Sequence, residues 1–100
     1  MKNVSLDHFF ATLSSPRRVE ILQLLDKNGP TNVTDIATSL AIEQSAISHC
    51  LTKLRHCHFV DVQQDGKERV YSLNTETIKP LLGQIEQHVE KYCVQSCRHH

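Results

Sequence analysis

The chain has 100 residues, of which 39% are hydrophobic and 22% are charged, so it can form one small domain around a single core. Eleven basic residues balance eleven acidic ones, and this zero net charge excludes a protein that coats nucleic acid without sequence preference. We expect a cytoplasmic protein, because no apolar stretch approaches the roughly 18 residues of a membrane span and the N-terminus lacks the apolar segment of a signal peptide.

Two helices are predicted in the first third of the chain. Apolar residues recur at helical spacing between Leu6 and Leu13, which predicts a first helix over about residues 4–14. Ser15 followed by Pro16 is typical of an N-cap and the first helical position, because the missing N–H of proline needs no partner there. The second helix should end at Gly29, since glycine tolerates left-handed geometry and the proline after it cannot continue a helix.

The following segment, over about residues 34–57, predicts a helix-turn-helix. We expect Thr34 to cap a short helix, Ala41 and Ile42 to form a tight turn, and a second helix to run from Gln44 to about Cys57. Apolar residues of that second helix recur at helical spacing and define a core face, namely Ile47, Leu51 and Leu54. The opposite face carries polar side chains, which are Ser45, Ser48, His49, Thr52 and Lys53.

A β-hairpin and a long helix follow. Alternating apolar residues on both sides of Asp65-Gly66 predict a hairpin, the wing, over about residues 59–73. We expect Thr75 to cap a last helix over about residues 75–97, with Pro80 in its first turn, where proline is least harmful. This helix carries an apolar stripe of Ile78, Leu81, Leu82, Ile85, Val89, Tyr92 and Cys93. A stripe so long on so small a domain predicts a two-fold symmetric dimer.

The predicted elements make a mostly α winged helix-turn-helix, a single domain over residues 1–100 with the hairpin between the fourth and fifth helices. Such a fold inserts the second helix of its helix-turn-helix into the DNA major groove, and its wing can lay basic side chains along the backbone. The available cations are Lys53 and Arg55 on the helix and Lys67 and Arg69 on the wing. A solvated surface is the alternative, since Asp61, Asp65 and Glu68 nearly cancel these charges locally.

Three motifs follow one another over about residues 5–74: SSPRRVEILQLL, DIATSLAIEQSAISHCLTKLRHCHFV and DGKERVYSL. In order and spacing they resemble the signatures of the ArsR/SmtB family of bacterial transcriptional repressors. The resemblance implies a homodimer joined by the first and last helices, with double-stranded operator DNA as the partner. It also implies recognition residues at Gln44, Ser45, Ser48, His49 and Thr52. The matching basic pair, Arg17 and Arg18, can contact phosphate or pack within the protein.

Members of this family commonly release DNA when they bind a metal, a metalloid or an oxidant. The thiol motif of arsenic and cadmium sensors is absent, because residues 32–35 read NVTD. A last-helix zinc site would use Glu86, His88 and His99, but glutamate replaces the usual aspartate and a fourth ligand would lie beyond residue 100. The pattern of sulfide sensors is also incomplete, since Gln23 stands where they carry a thiol.

The four cysteines are expected to be free thiols or thiolate ligands, because no export signal points to an oxidising compartment. Cys50 and Cys57 are separated by about 10 Å of helix, too far for one ion to bridge. Cys93 and Cys97 lie four residues apart on one helix face and can chelate one ion. With Cys57 as a third participant they partly resemble the thiol set of the family's cadmium and lead sensors, although Lys53 stands at one position of that set.

No resident cofactor is required by this interpretation. The resemblance implies an inducer site at Cys57, Cys93 and Cys97 for an ion such as Cd(II), Pb(II), As(III) or Zn(II), or for an oxidant. Packing is the alternative for these cysteines, and it is the interpretation that we favour for Cys50.

An enzyme is not expected. Cys57 stands between His56 and His58, but adjacent residues of a helix or strand point in different directions and do not make an oriented nucleophile and base. The stronger alternative is a winged helix with structural cysteines that binds DNA constitutively or binds another protein. The zero net charge favours the protein-binding form of that alternative.

Overall fold

The computed structural model of the chain describes residues 3–93, with side chains from residue 6 onward. Its helices are α1 (Asn3–Leu13), α2 (Pro16–Asn28), α3 (Val33–Leu40), α4 (Gln44–His56) and α5 (Ile78–His88), which continues as a π-helical segment, Val89–Cys93. The strands β1 (Thr31–Asn32), β2 (Val60–Asp65) and β3 (Glu68–Leu73) form one antiparallel sheet in the order β1-β3-β2. The predicted winged helix-turn-helix is confirmed, with β1 as an additional strand.

Helix α2 begins and ends at the predicted caps. Ser15 is extended, and its Oγ accepts a hydrogen bond from the N–H of Arg18 at 3.4 Å. Gly29 has a φ of +80°, and its N–H donates to the carbonyl of Leu25 at 2.9 Å. Both ends of the helix therefore satisfy backbone groups that would otherwise lack partners.

Helix α3 is capped by Asn32, so the predicted cap at Thr34 is wrong. The Oδ1 of Asn32 accepts from the N–H of Asp35 at 2.7 Å, whereas Thr34 lies inside the first turn. Strand β1 pairs Asn32 with Val70 of β3 and keeps its backbone extended. Asn32 therefore meets both requirements of an N-cap. Its backbone is extended, and its side-chain oxygen reaches an N–H group three residues later that would otherwise lack a partner.

Helix α5 begins at Ile78, so the predicted cap at Thr75 is also wrong. The Oδ1 of Asn74 accepts from the N–H groups of Glu76 at 2.9 Å and Thr77 at 3.2 Å, which folds the chain into a turn before the helix starts. Residues 94–97 of the predicted last helix lie outside the described residues.

The wing is the β2–β3 hairpin, and its tip lies one residue later than predicted. Asp65 pairs with Glu68, which leaves Gly66 and Lys67 as the two loop residues. Gly66 has a φ of +65°, a conformation that glycine adopts without steric cost. Lys67 is therefore held at the tip of a short hairpin.

One hydrophobic core joins the helices to the sheet. The inner faces of α2, α3 and α4 are fully buried in it, through Ile21, Leu22, Ile36, Ile47, Leu51 and Leu54. Helix α1 attaches through Phe9, whose ring stacks on the buried Phe59 at 5.0 Å between centroids. Cys50 belongs to this core, in agreement with the packing role favoured above. Within residues 3–93, none of the helices has the length and apolar character that crossing a membrane requires.

Candidate nucleic-acid interface

The turn between α3 and α4 sets the position of the candidate recognition helix. Ala41 adopts the left-handed conformation, with φ 56° and ψ 45°, and its N–H donates to the carbonyl of Thr38 at 3.3 Å. The N–H of Ile42 donates to the carbonyl of Ala37 at 3.1 Å. This closure ends α3 and redirects the chain into α4. The Nε2 of Gln44 then donates to the Oγ1 of Thr34 at 3.2 Å and links the starts of the two helices.

Helix α4 turns its predicted polar face to solvent. Its apolar face is buried in the core, where Ile47, Cys50, Leu51 and Leu54 pack. The polar side chains predicted for DNA contact are all exposed, namely Gln44, Ser45, Ser48, His49, Thr52 and Lys53, and so is Arg55. The helical period of the sequence therefore separated the two faces correctly.

A groove of about 240 Å³ lies between α4 and the wing. Gln44 and Ser48 line it from α4, and Lys67 and Arg69 line it from the wing. Glu68 also borders the groove, and its Oε1 accepts a hydrogen bond from the Nδ2 of Asn32 at 3.3 Å. Four of the predicted DNA-contact residues are thus brought together on one surface.

A second cleft, of about 520 Å³, lies between α4 and the start of α2. His49 and Lys53 line it from α4, and Arg17 and Arg18 line it from α2. The Nε of Arg18 is buried and has no hydrogen-bond partner among the described residues. The sequence left the role of the arginine pair open, and the structure adds both arginines to the basic surface beside α4.

The cations of these two clefts are not neutralised by direct ion pairs. Across residues 6–93 the one ion pair joins the Nζ of Lys79 to the Oδ1 of Asp26 at 2.6 Å, and it connects α5 to α2. Lys53, Lys67 and Arg69 therefore form no salt bridge with the described acidic residues. Glu20, which lines the cleft beside α2, and the acids near the wing, Asp61, Asp65 and Glu68, lower the local net charge without such pairing.

The three described thiols occupy different environments. Cys50 is buried, Cys57 is half-buried at the C-cap of α4, and Cys93 is half-buried at the end of the π-helical segment. Cys97 and His99 lie outside the described residues, while Glu86 and His88 are exposed on α5. Among the described side chains, no group of three or more histidine, cysteine, aspartate and glutamate residues is arranged to hold a metal ion. The inducer set of Cys57, Cys93 and Cys97 stays a prediction.

Cys57 has two neighbours on α1 that sequence analysis missed. Its Sγ lies 3.2 Å from the Nε2 of His8 and 3.6 Å from the Oγ1 of Thr12. His8 and Cys57 are 49 residues apart in the sequence, and no local pattern reports a contact over that distance.

The fold and the exposed polar helix define a winged helix-turn-helix protein, and comparisons with known proteins narrow this class. Residues 15–62 match the family model described as bacterial regulatory protein, arsR family. The crystal structure of Rv0081 from Mycobacterium tuberculosis shares the fold with a TM-score of 0.79, at 30% identity over 92% of this chain and 90% of that one. The chain belongs to the arsR family of bacterial regulatory proteins.

Two curated relatives are similar over most of this chain. The HTH-type transcriptional regulator NmtR of M. tuberculosis is 41% identical over 78 residues, which cover 78% of this chain and 64% of NmtR. The chain thus spans less than two thirds of that relative's length. The arsenical resistance operon repressor of Bacillus subtilis is 29% identical over 75 residues, which cover 75% of this chain and 71% of the repressor.

Proposed function

We propose that the chain is a homodimeric transcriptional repressor that binds operator DNA in the bacterial cytoplasm through α4 and the wing. The observation that carries this proposal is the groove in which Gln44 and Ser48 of α4 lie beside Lys67 and Arg69 of the wing. Exposed polar side chains on a helix suit the base edges of the major groove, and flanking cations suit the phosphates.

The cleft beside α2 supports a second line of phosphate contacts. Arg17, Arg18 and Lys53 border it together with His49, and the buried Nε of Arg18 is a donor without a partner in the described part of the chain. A backbone phosphate in this cleft would accept charge-assisted hydrogen bonds from the cations that line it. We assign Gln44, Ser45, Ser48, His49 and Thr52 to bases, and Lys53, Lys67 and Arg69 to phosphates.

A titration with DNA from the protein's own promoter, at two salt concentrations, tests the proposal. Affinity should fall steeply with salt, because phosphate contacts release counterions. In the double variant Ser48→Ala, His49→Ala, the free energy of binding to the operator should weaken by roughly 1–3 kcal/mol for each lost base contact. Binding to unrelated DNA should change little. The control, Thr75→Ala with His56→Ala, removes an exposed hydroxyl and an exposed imidazole that line neither cleft.

Two results would contradict the proposal. Unchanged operator affinity in the Ser48 and His49 variant would show that the assigned face is wrong. Absent or salt-insensitive DNA binding would instead favour a winged helix that recognises another protein, as the zero net charge allows.

We also propose that a metal, metalloid or thiol-reactive signal releases the protein from DNA through Cys57, Cys93 and Cys97. The relative named for arsenical resistance supports a signal of this kind. Any such signal must bind more tightly to the conformation that has low affinity for DNA. A signal that bound both conformations equally would not change their populations.

The test of this signal compares the wild type with Cys93→Ser, Cys97→Ser. DNA release is measured with Cd(II), Pb(II), arsenite and peroxide in turn. Equal responses from both proteins would assign Cys93 and Cys97 to packing.

A further inference from the structure

We infer that His8 and Cys57 form a two-residue chelate for a soft divalent cation of the Zn(II) and Cd(II) class, where α1 meets the end of α4. The inference deepens the proposed inducer response and rests on it for its regulatory meaning. It differs in its ligands, because it gives Cys57 an imidazole partner on α1 that is independent of Cys93 and Cys97.

The ligand atoms already face each other. The Sγ of Cys57 lies 3.2 Å from the Nε2 of His8 and 3.6 Å from the Oγ1 of Thr12. His8 and Thr12 are four residues apart, so both lie on the face of α1 that meets the thiol. His8 is exposed and Cys57 is half-buried, which leaves the pair open to an ion from solvent.

The distance between sulfur and nitrogen is close to that of a tetrahedral chelate. Bonds of about 2.3 Å to sulfur and about 2.0 Å to nitrogen, at a tetrahedral angle, separate the two atoms by about 3.5 Å. A small side-chain rotation at either residue supplies the difference from the observed 3.2 Å. Thiolate and imidazole are also the ligand types that such ions favour over carboxylates and carbonyls.

The binding step exchanges one proton for one metal–sulfur bond. The ion replaces the proton of the Cys57 thiol, and this proton leaves to solvent. His8 coordinates through the lone pair of Nε2, so its remaining ring proton is on Nδ1. Water fills the other positions, since no group of three or more histidine, cysteine and carboxylate ligands is assembled within the described part of the chain.

The local field favours a cation at this place. Cys57 is the C-cap of α4, and the carbonyl end of a helix carries a partial negative charge. The hydroxyl of Thr12 donates to the carbonyl of His8 at 2.9 Å, so its oxygen lone pairs are available toward the thiol. Arg55 and His56 lie in the same last turn of α4, and their exposure lets water and salt screen them.

An ion at this position would connect two parts of the molecule with different roles in the proposal. Helix α1 attaches to the core through Phe9 and Phe59, next to the pair, and carries the exposed Leu6 and Phe10 of the proposed dimer interface. Cys57 ends the helix proposed to contact bases. Coordination therefore ties the dimerisation helix to the recognition helix.

The experiment uses the full chain with Cys93→Ser and Cys97→Ser as the parent, titrated with Cd(II) alone. We expect one Cd(II) ion to bind per chain and to produce the ultraviolet charge-transfer absorption band of a cadmium–thiolate bond. Adding either His8→Ala or Cys57→Ser to the parent should abolish the growth of this band up to one equivalent of Cd(II). The loss of affinity should exceed the roughly 10- to 100-fold cost of removing an outer-shell partner, because a direct ligand is removed. The matched control, His56→Ala, removes an exposed histidine of the neighbouring turn and should keep the band.

Two outcomes would overturn the chelate: a parent without the band, or a His8→Ala variant that binds as tightly as the parent. Circular dichroism checks the fold, and His8→Ala alone decides the question if Cys57→Ser does not fold. A separate measurement of operator affinity, made on the parent without Cd(II), distinguishes this inference from the proposed function. If the parent binds the operator but shows no cadmium–thiolate band, the chelate alone is refuted. If the parent shows the band but does not bind the operator, DNA binding alone is refuted.

Discussion

Asn32 connects three parts of the molecule through one residue. Its Oδ1 caps α3, its Nδ2 donates to Glu68 of the wing, and its backbone pairs with Val70 of β3. The start of the helix-turn-helix and strand β3 of the wing are therefore fixed to each other. These contacts hold α3 against the wing.

We expect Asn32→Ala to lower the free energy of unfolding by about 0.5–2 kcal/mol, the usual cost of losing an N-cap. Thr34→Ala should cost less, about 0.5 kcal/mol, because it removes only the exposed hydrogen bond from Gln44 and no cap. Urea unfolding followed by circular dichroism measures both values. Equal losses for the two variants would contradict the assignment of the cap.

The two wrong caps, Thr34 and Thr75, have a common cause. Threonine and asparagine are both good N-cap residues, so local sequence does not choose between neighbours. At α3 the cap is Asn32, which β1 pairs with β3. Before α5, Asn74 instead forms a turn and is fixed from outside the helix, because its Nδ2 donates to the carbonyl of His58 at 2.8 Å, so the helix begins only at Ile78. Such contacts join distant positions and leave no trace in a local pattern.

Among the elements, the wing has a short and well-defined tip. Gly66 and Lys67 are its loop, and Arg69 pairs with Gln64 across the hairpin. The fixed register holds both cations at the groove that Gln44 and Ser48 line. In the proposed complex with DNA, the wing would therefore contact phosphates and leave the bases to α4.

We expect Lys67→Ala and Arg69→Ala each to weaken binding to all DNA sequences alike. Each should also reduce the slope of log affinity against log salt by about 1, since one phosphate contact is lost. Lys79→Ala is the matched control, because Lys79 of α5 is also cationic but is paired with Asp26 of α2. A loss that depends on DNA sequence would instead assign base contact to the wing.

The elements that were predicted correctly are those with a strong period. The alternation of apolar residues located β2 and β3, and helical spacing located α2 and the two faces of α4. Strand β1 has only two residues, too few for any period, and its register is set by Val70 and Tyr71 of a distant strand. The pair of His8 and Cys57 was unpredictable for the same reason, since only the packing of α1 brings the two residues together.

Across the described molecule, the exposed large apolar side chains collect on two helices. Leu6 and Phe10 lie on α1, exposed to 58% and 60%. The others lie on α5 and its π-helical extension, namely Leu81, Ile85, Val89 and Tyr92. The predicted single stripe of the last helix thus divides, because Ile78 and Leu82 pack into the protein's own core. The remaining side chains form a second apolar face, which is partly exposed in the described protomer.

This second face argues for the dimer and supplies its test. Burying this apolar area against a second copy of the chain would stabilise the dimer by roughly 25 cal/mol for each Å² removed from water. We expect the wild type to be a dimer by light scattering at micromolar concentration, and Phe10→Glu with Ile85→Glu to be a monomer, because both charges would be desolvated at the interface. Both side chains are exposed in the protomer, so circular dichroism should show an intact fold. Gln84→Glu adds a charge at an exposed polar position of α5 and should leave the dimer unchanged. A monomeric wild type would contradict the dimer. A double variant that still dimerises would place the interface elsewhere.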